Sequence, residues 1–254
     1  MAFAHDHAYG SARFARLPEI ARAGLFRQGG MPFGFYQGRA LFHHNRAGLL
    51  VIGGAGAGKT TTLLLPLLLR PGRFAYLDPK GEITAVIFDG VVQHGGEIYT
   101  INPRGRFGLP AHKVSLLSHL KAGSPTLLSD IRRLWDSLHP NVSGENNRFF
   151  DDLGRRWGVA ITLGIVVERG SVSLRSIYEA ISMIRADFDA WLDRAAIMAE
   201  DGPADLEPVF GEMAAMNSGE ARLYDSVMSG LTNAVSFMAD PAYQEQYGVM
   251  TDER

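Results

Sequence analysis

Hydrophobic positions along this chain follow two different rhythms. Between residues 47 and 103, short apolar runs alternate with Gly and Pro punctuation: LLVI at 49–52, RFAYLD at 73–78 and EIYTI at 97–101. Runs of this length, bounded by turn residues, predict strands. The intervals TTTLLLPLLL at 60–69 and 82–92 predict helices. Strand, helix, strand, helix, strand reads as an α/β fold with a parallel, doubly wound sheet. From about residue 115 the strand signals disappear. Ser124-Pro125 is a cap followed by a first-turn proline, and Leu127, Leu128, Ile131, Leu134, Trp135 and Leu138 follow at helical spacing. A helix over 146–168 stops at Gly170, and another starts at Ser173 and presents Leu174, Ile177, Tyr178, Ile181 and Ile184. Further helices are expected over 187–199, 204–216 and 218–238. Their Met and aromatic residues sit at core spacing rather than in a cofactor site. Three segments follow: a lead-in at 1–46, an α/β core at 47–114 and an all-helical domain at 115–254.

The junction between the first predicted strand and helix carries the chemistry. The octapeptide GGAGAGKT at 53–60 fits G-x-x-x-x-G-K-[ST], with an apolar run before it and a helix after it. Successive backbone N–H groups in such a loop form a concave anion site, and the helix N-terminus adds partial positive charge. The nucleotide-binding residues are then Gly53, Gly54, Ala55, Gly56, Ala57, Gly58, Lys59, Thr60 and Thr61. Lys59 would bridge the β- and γ-phosphates of ATP, and the Thr60 hydroxyl would hold Mg²⁺. The bland alternative is a glycine-rich turn that matches by accident in a chain with 29 glycines.

Two neighbouring features carry double readings. Asp78, at the end of the second run, could orient water on Mg²⁺, with Lys80 or Glu82 touching the nucleotide or a neighbouring subunit. Equally, Asp78 as N-cap with Pro79 in the first turn makes an ordinary helix start. Pro66 lies inside the helix after the glycine loop, where an interior proline removes a hydrogen bond and costs about 3 kcal/mol. The helix must therefore kink there or end early.

Composition narrows the class. The 254 residues include no cysteine, so disulfides and thiolate metal sites are excluded. The longest apolar stretch, 157–167, is about half of what spans a bilayer. The net charge of −2 hides a division, with residues 1–113 at +7 and 114–254 at −9. This suggests a basic half suited to phosphates and an acidic half suited to protein contacts, or two merely solvated surfaces. His5, His7, His43 and His44 lack metal-ligand spacing. The DDLG stretch at 151–154 has no accompanying guanine motif, and the pairs Arg132-Arg133 and Arg155-Arg156 read as solvated helix faces.

Taken in order, GSARFA at 10–15, EIARAGL at 19–25, GGAGAGKTTTLLLPLLL at 53–69, LDPKGE at 77–82 and INP at 101–103 resemble the type IV secretion coupling proteins. These are the TraG/TraD-like ATPases of bacterial conjugation. NNRFFDDLGRRW at 146–157 and SVSLRSIYEAI at 171–181 look like the all-helical domain that this family inserts into its motor domain. The resemblance implies a RecA-like P-loop NTPase, present in part, that binds ATP and Mg²⁺. It implies a homo-hexamer in the full-length form, working with other secretion-system subunits. It also implies recruitment of relaxase–DNA complexes or effector proteins at the cytoplasmic face of the bacterial inner membrane. Two departures shape the expectation. Family members usually begin with transmembrane helices, and this chain starts where those would end. No apolar strand ending in Asp-Glu is found, since Asp252-Glu253 follows Gly-Val-Met-Thr. The first expectation is an apparently truncated member that serves as the ATP-binding subunit of a coupling protein, recruiting DNA or protein substrates and driving their transfer. The alternatives are a hydrolysis-deficient fragment whose helical part acts as a substrate-docking module, and an unrelated P-loop switch or kinase.

Overall fold

The computed structural model describes residues 13–44, 48, 50–140 and 148–249. His5, His7, Leu49, Asn146 and the Asp252-Glu253 pair lie outside the described residues. The chain divides into two compact units, residues 1–98 and 99–254.

In the first unit, α1 (Leu17–Arg22) places Pro18 in its first turn, and the Glu19 carboxylate accepts the Arg16 N–H at 2.7 Å. Strands β1 (Met31–Tyr36) and β2 (Arg39–His43) form an antiparallel hairpin, with Tyr36 paired to Arg39. The two residues between them, Gln37 and Gly38, both have positive φ (50° and 75°), the signature of a type I′ turn. Its twist matches that of the flanking strands, which is why so short a loop closes the hairpin. The composition-based lead-in at 1–46 gave no hint of this element; the Gln-Gly dipeptide between apolar runs was the available signal.

After the glycine loop the backbone forms a π-turn over Thr60–Leu64 and then α2 (Leu65–Leu68). The Leu65 N–H reaches back five residues to the Thr60 carbonyl. Pro66 has no N–H to donate, so the ladder cannot continue in α register through it. The helix ends at Leu68, early rather than kinked. Farther on, α3 (Glu82–Gln93) buries Thr84 and Ile87.

The expected parallel sheet does not form. Among the described residues the one sheet is the antiparallel β1–β2 hairpin, and the chain is mostly helical. The runs at 50–52, 73–78 and 97–101 carry no regular secondary structure. Apolar content identifies a segment that seeks burial, but a strand exists only through its ladder, and a parallel strand also needs helices over both faces. Here Leu50 (83 %), Ile52 (86 %) and Leu77 (88 %) remain exposed, so neither condition holds.

The second unit is helical: α4 (Leu127–Leu138), α5 (Arg148–Arg169), α6 (Leu174–Ala186), α7 (Phe188–Asp201), α8 (Leu206–Gly219), α9 (Ala221–Ala234) and α10 (Pro241–Tyr247). Three of the starts follow sequence-encoded side-chain caps, whereas the Ser124-Pro125 cap expected for α4 does not form, because Thr126 takes the N-cap position there without a side-chain hydrogen bond. Ser173 accepts the Ser176 N–H at the head of α6, Asp187 accepts the Ala190 N–H before α7, and Asp240 accepts the Ala242 N–H before α10. Helix α5 is the axis of the unit and packs against α4, α6, α7, α8 and α9. That is why its apolar stretch is near-continuous instead of confined to one stripe. Trp135, Trp157 and Trp191 are all fully buried in this core. Gly158 is what lets α4 approach α5. A Cβ there would lie 2.4 Å from two ring atoms of Trp135. The indole N–H donates to Thr162 Oγ1 at 2.9 Å, and that hydroxyl donates to the Gly158 carbonyl at 2.8 Å. The Trp135 and Thr162 polar groups inside the apolar core are thereby satisfied.

Candidate functional site

The glycine loop sits in the first unit. Gly56 and Gly58 adopt φ of 75° and 81°, the left-handed region that other residues enter at a cost. These two reversals turn the chain from the 50–54 segment into the helical turn that begins at Thr60. Within the loop the Ala57 N–H donates to the Gly54 carbonyl at 3.3 Å. A side chain at Gly53 would press Ala57 Cβ at 3.2 Å, whereas Cβ atoms at Gly54 and Gly56 would meet open space. The loop is therefore compact on one side and accessible on the other.

Lys59 folds back over this loop. Its ammonium donates to the carbonyls of Gly53 (2.5 Å) and Gly54 (2.8 Å). The positive charge is thus held at the mouth of the loop by backbone dipoles. Thr60 is exposed at the start of the turn. Thr61 and Thr62 donate their hydroxyls to the Gly58 carbonyl at 3.3 and 2.6 Å, pinning the loop to the helix start. The donor types are those a polyphosphate takes: an ammonium, the start of a helical turn and an exposed hydroxyl follow one another at Lys59 and Thr60, beside glycines whose Cβ positions are open.

Asp78 is placed otherwise. Both carboxylate oxygens are engaged at the head of α3: Oδ1 accepts the Gly81 N–H at 3.1 Å, and Oδ2 accepts the Thr84 N–H at 2.9 Å and the Thr84 hydroxyl at 3.0 Å. The Tyr76 hydroxyl meets the Thr84 hydroxyl at 3.2 Å. The helix begins three residues later than the Asp-Pro pair suggested, with Gly81 at the N-cap in the left-handed region and Asp78 capping from outside. Lys80 and Glu82 are exposed beside it.

The second unit holds a partly buried ionic group that sequence reasoning did not single out. His139 Nε2 lies 3.5 Å from Asp151 Oδ1, with both side chains largely covered. Burial pushes the His139 imidazole below its ordinary value of 6.5; Asp151 opposes this and Arg155 adds to it. The signal was weak because His139 and Asp151 belong to different elements, and the contact comes from packing against Gly154 and Gly230. On the far side, Glu168 at the end of α5 binds Arg194 of α7 with two hydrogen bonds, one of 2.5 Å. The guanidinium holds the Glu168 carboxyl below the usual carboxylate range, against the opposing effect of burial.

A glycine loop that delivers a lysine and a threonine to the head of a helix, and a separate tryptophan-cored helical unit, define the class: a loop module joined to a helical module. The chain belongs to the type IV secretory system conjugative DNA transfer family, whose model matches residues 13–247. It is therefore a component of conjugative DNA transfer and works within a secretion machine alongside partner components. No individual curated protein matches the chain. Among the described residues, no helix is long and apolar enough to cross a membrane.

Proposed function

We propose that this chain is the ATP-binding subunit of a type IV secretion coupling protein, recruiting DNA or protein substrates and helping to drive their transfer. The observation that supports this reading is the fold-back of Lys59 onto the Gly53 and Gly54 carbonyls, at the head of a helix and beside two left-handed glycines. On this reading Lys59 would release those two carbonyls to hold the phosphates, backbone N–H groups at the start of the helical turn would donate to them, and the Thr60 hydroxyl would hold Mg²⁺. The metal supplies neutralisation of charge on the phosphate oxygens. Relaxase–DNA complexes or effector proteins are the substrates this reading assigns to the helical unit, and the cytoplasmic face of the inner membrane is its site of action.

The test is MgATP affinity measured by calorimetry for the native chain and for Lys59→Ala, with turnover followed in parallel. Loss of one charge-assisted contact to phosphate is worth about 1.5–3 kcal/mol, or roughly a tenfold to hundredfold weakening. Equal affinity in the variant would overturn the assignment of the loop. Turnover by the native chain would make it a complete ATPase and not a binding subunit alone.

A further inference from the structure

At the start of the second unit the chain runs out and back between Thr100 and His112, and the neck of this loop is closed by one residue. The His112 N–H donates to the Thr100 carbonyl at 3.0 Å, and His112 Nδ1 accepts the Thr100 N–H at 3.0 Å. The Thr100 hydroxyl donates to the Pro110 carbonyl. Inside the loop, Asn102 acts as a brace. Its amide donates to the carbonyls of Arg106 and Leu109, both at 3.1 Å, and its Oδ1 accepts the Arg106 N–H at 3.0 Å. This many internal bonds fix the backbone of a segment that has almost no apolar burial of its own.

The brace holds up an unusual tip. Arg104, Arg106 and Phe107 are all exposed, Phe107 by 62 %. Phe107 also has φ of 55° and ψ of 18°, a left-handed conformation that costs a bulky residue about 1 kcal/mol or more. Stability alone would put a glycine or asparagine there. A strained, exposed aromatic residue with two arginines in the three positions before it is the opposite of what core packing or solubility selects.

A separate observation from the sequence agrees. From residue 98 to 129 there is no Asp or Glu, while Arg104, Arg106, Lys113 and Lys121 are present. The rest of this unit is acidic. The stretch therefore carries a net positive sequence charge within a unit whose remainder is acidic.

We infer that the 102–109 loop is a contact element for single-stranded DNA, with Phe107 stacking on a base and Arg104 and Arg106 reaching the flanking phosphates. Aromatic rings stack on any base, and guanidinium groups bind any phosphate, so the contact is indifferent to sequence. That suits a strand handled along its length. The choice of DNA rests on the family assignment; the contact itself is independent of the nucleotide site, which lies in the other unit.

The experiment measures fluorescence anisotropy of a labelled oligothymidylate of about 20 nucleotides against the full chain, the Phe107→Ala variant and the Arg104→Ala/Arg106→Ala double variant. Titrations run from about 50 to 200 mM salt. Phe107→Ala is expected to weaken binding roughly 5- to 150-fold without changing the salt slope. The double arginine variant is expected to reduce the slope of log affinity against log salt by about 1.4, for two phosphate contacts to a single strand. The positions are exposed, so unchanged circular dichroism and unchanged MgATP affinity should accompany both results. Affinity and slope within twofold of native in both variants would overturn the inference. So would a duplex of the same length binding as well as the single strand, or anionic vesicles of phosphatidylserine and phosphatidylcholine losing affinity in the variants while the oligonucleotide does not. Failure of nucleotide binding with the oligonucleotide result intact would count against the loop at 53–60 alone.

Discussion

Replacing Asp78 by Ala separates two roles that a carboxylate at this position could play. In the folded chain its oxygens accept two backbone N–H groups and one hydroxyl at the head of α3. Loss of a helix-capping acceptor costs about 0.5–2 kcal/mol. Thr84 is 7 % exposed, so its N–H has little access to compensating water, whereas its hydroxyl keeps the Tyr76 contact. One poorly compensated donor and one hydratable donor place the cost in the upper half of that range, about 1.5 kcal/mol. Because the chain has two units, a single global unfolding curve is a poor gauge. Amide exchange across residues 82–93 reads the loss locally, and about 1.5 kcal/mol corresponds to exchange roughly tenfold faster. Asp78→Asn keeps one acceptor and should fall between the two. Nucleotide affinity, measured with Mg²⁺ and with chelator, should change little in either variant. Unchanged exchange together with a collapse of Mg²⁺-dependent affinity would refute the capping argument and assign the carboxylate to the metal.

Other consequences are equally direct. Gly158→Ala adds a methyl group 2.4 Å from the Trp135 ring. Overpacking of about 1–3 kcal/mol outweighs the gain of up to about 1 kcal/mol in helix propensity; the melting temperature of the helical unit should fall by several degrees in calorimetry, and a rise would show that the ring has room. His139 is held neutral by burial, its folded value lying below 6.5, so the unfolded chain takes up the proton first. Stability to urea should therefore be full above that pH and decline as pH falls through it, with a flatter profile in His139→Gln. Glu168 has the opposite dependence: its folded value lies below 4.5, so its contribution is present above that pH and lost as acid protonates it. Glu168→Gln should destabilise α5 against α7 by less than about 1 kcal/mol at neutral pH, given its partial exposure, and should remove that part of the acid sensitivity.

The helical unit was legible because its signals are local. Ser173 and Asp187 cap their own helices, and the Leu, Ile and Trp spacing of α4 and α6 sets which face is buried; the short α10, capped by Asp240, was not anticipated. The sheet was misread because a ladder is not local. The runs at 50–52, 73–78 and 97–101 have strand composition, but pairing depends on what lies beside them. The β1–β2 hairpin was missed for the reverse reason: its strands are ordinary, and the information sits in Gln37-Gly38. At the candidate site, the glycine spacing and Lys59 could be read directly. The engagement of Asp78 by Thr84 could not, since a threonine six residues on carries no signal until the chain turns at Gly81.

The posture of Lys59 alters what any substitution there measures. Its ammonium already has two carbonyl partners, so a phosphate bound as proposed would compete for the charge instead of meeting a waiting one. A measured affinity would then be the difference between two sets of hydrogen bonds, and alanine would remove both sets at once. A Lys59→Ala chain loses the internal tie across Gly53 and Gly54 as well as the contact to ligand. The loop then starts from a broader ensemble, which adds an ordering cost to binding. Part of the lost affinity therefore belongs to the empty chain, and amide exchange at residues 53–58 without nucleotide is the measurement that apportions it.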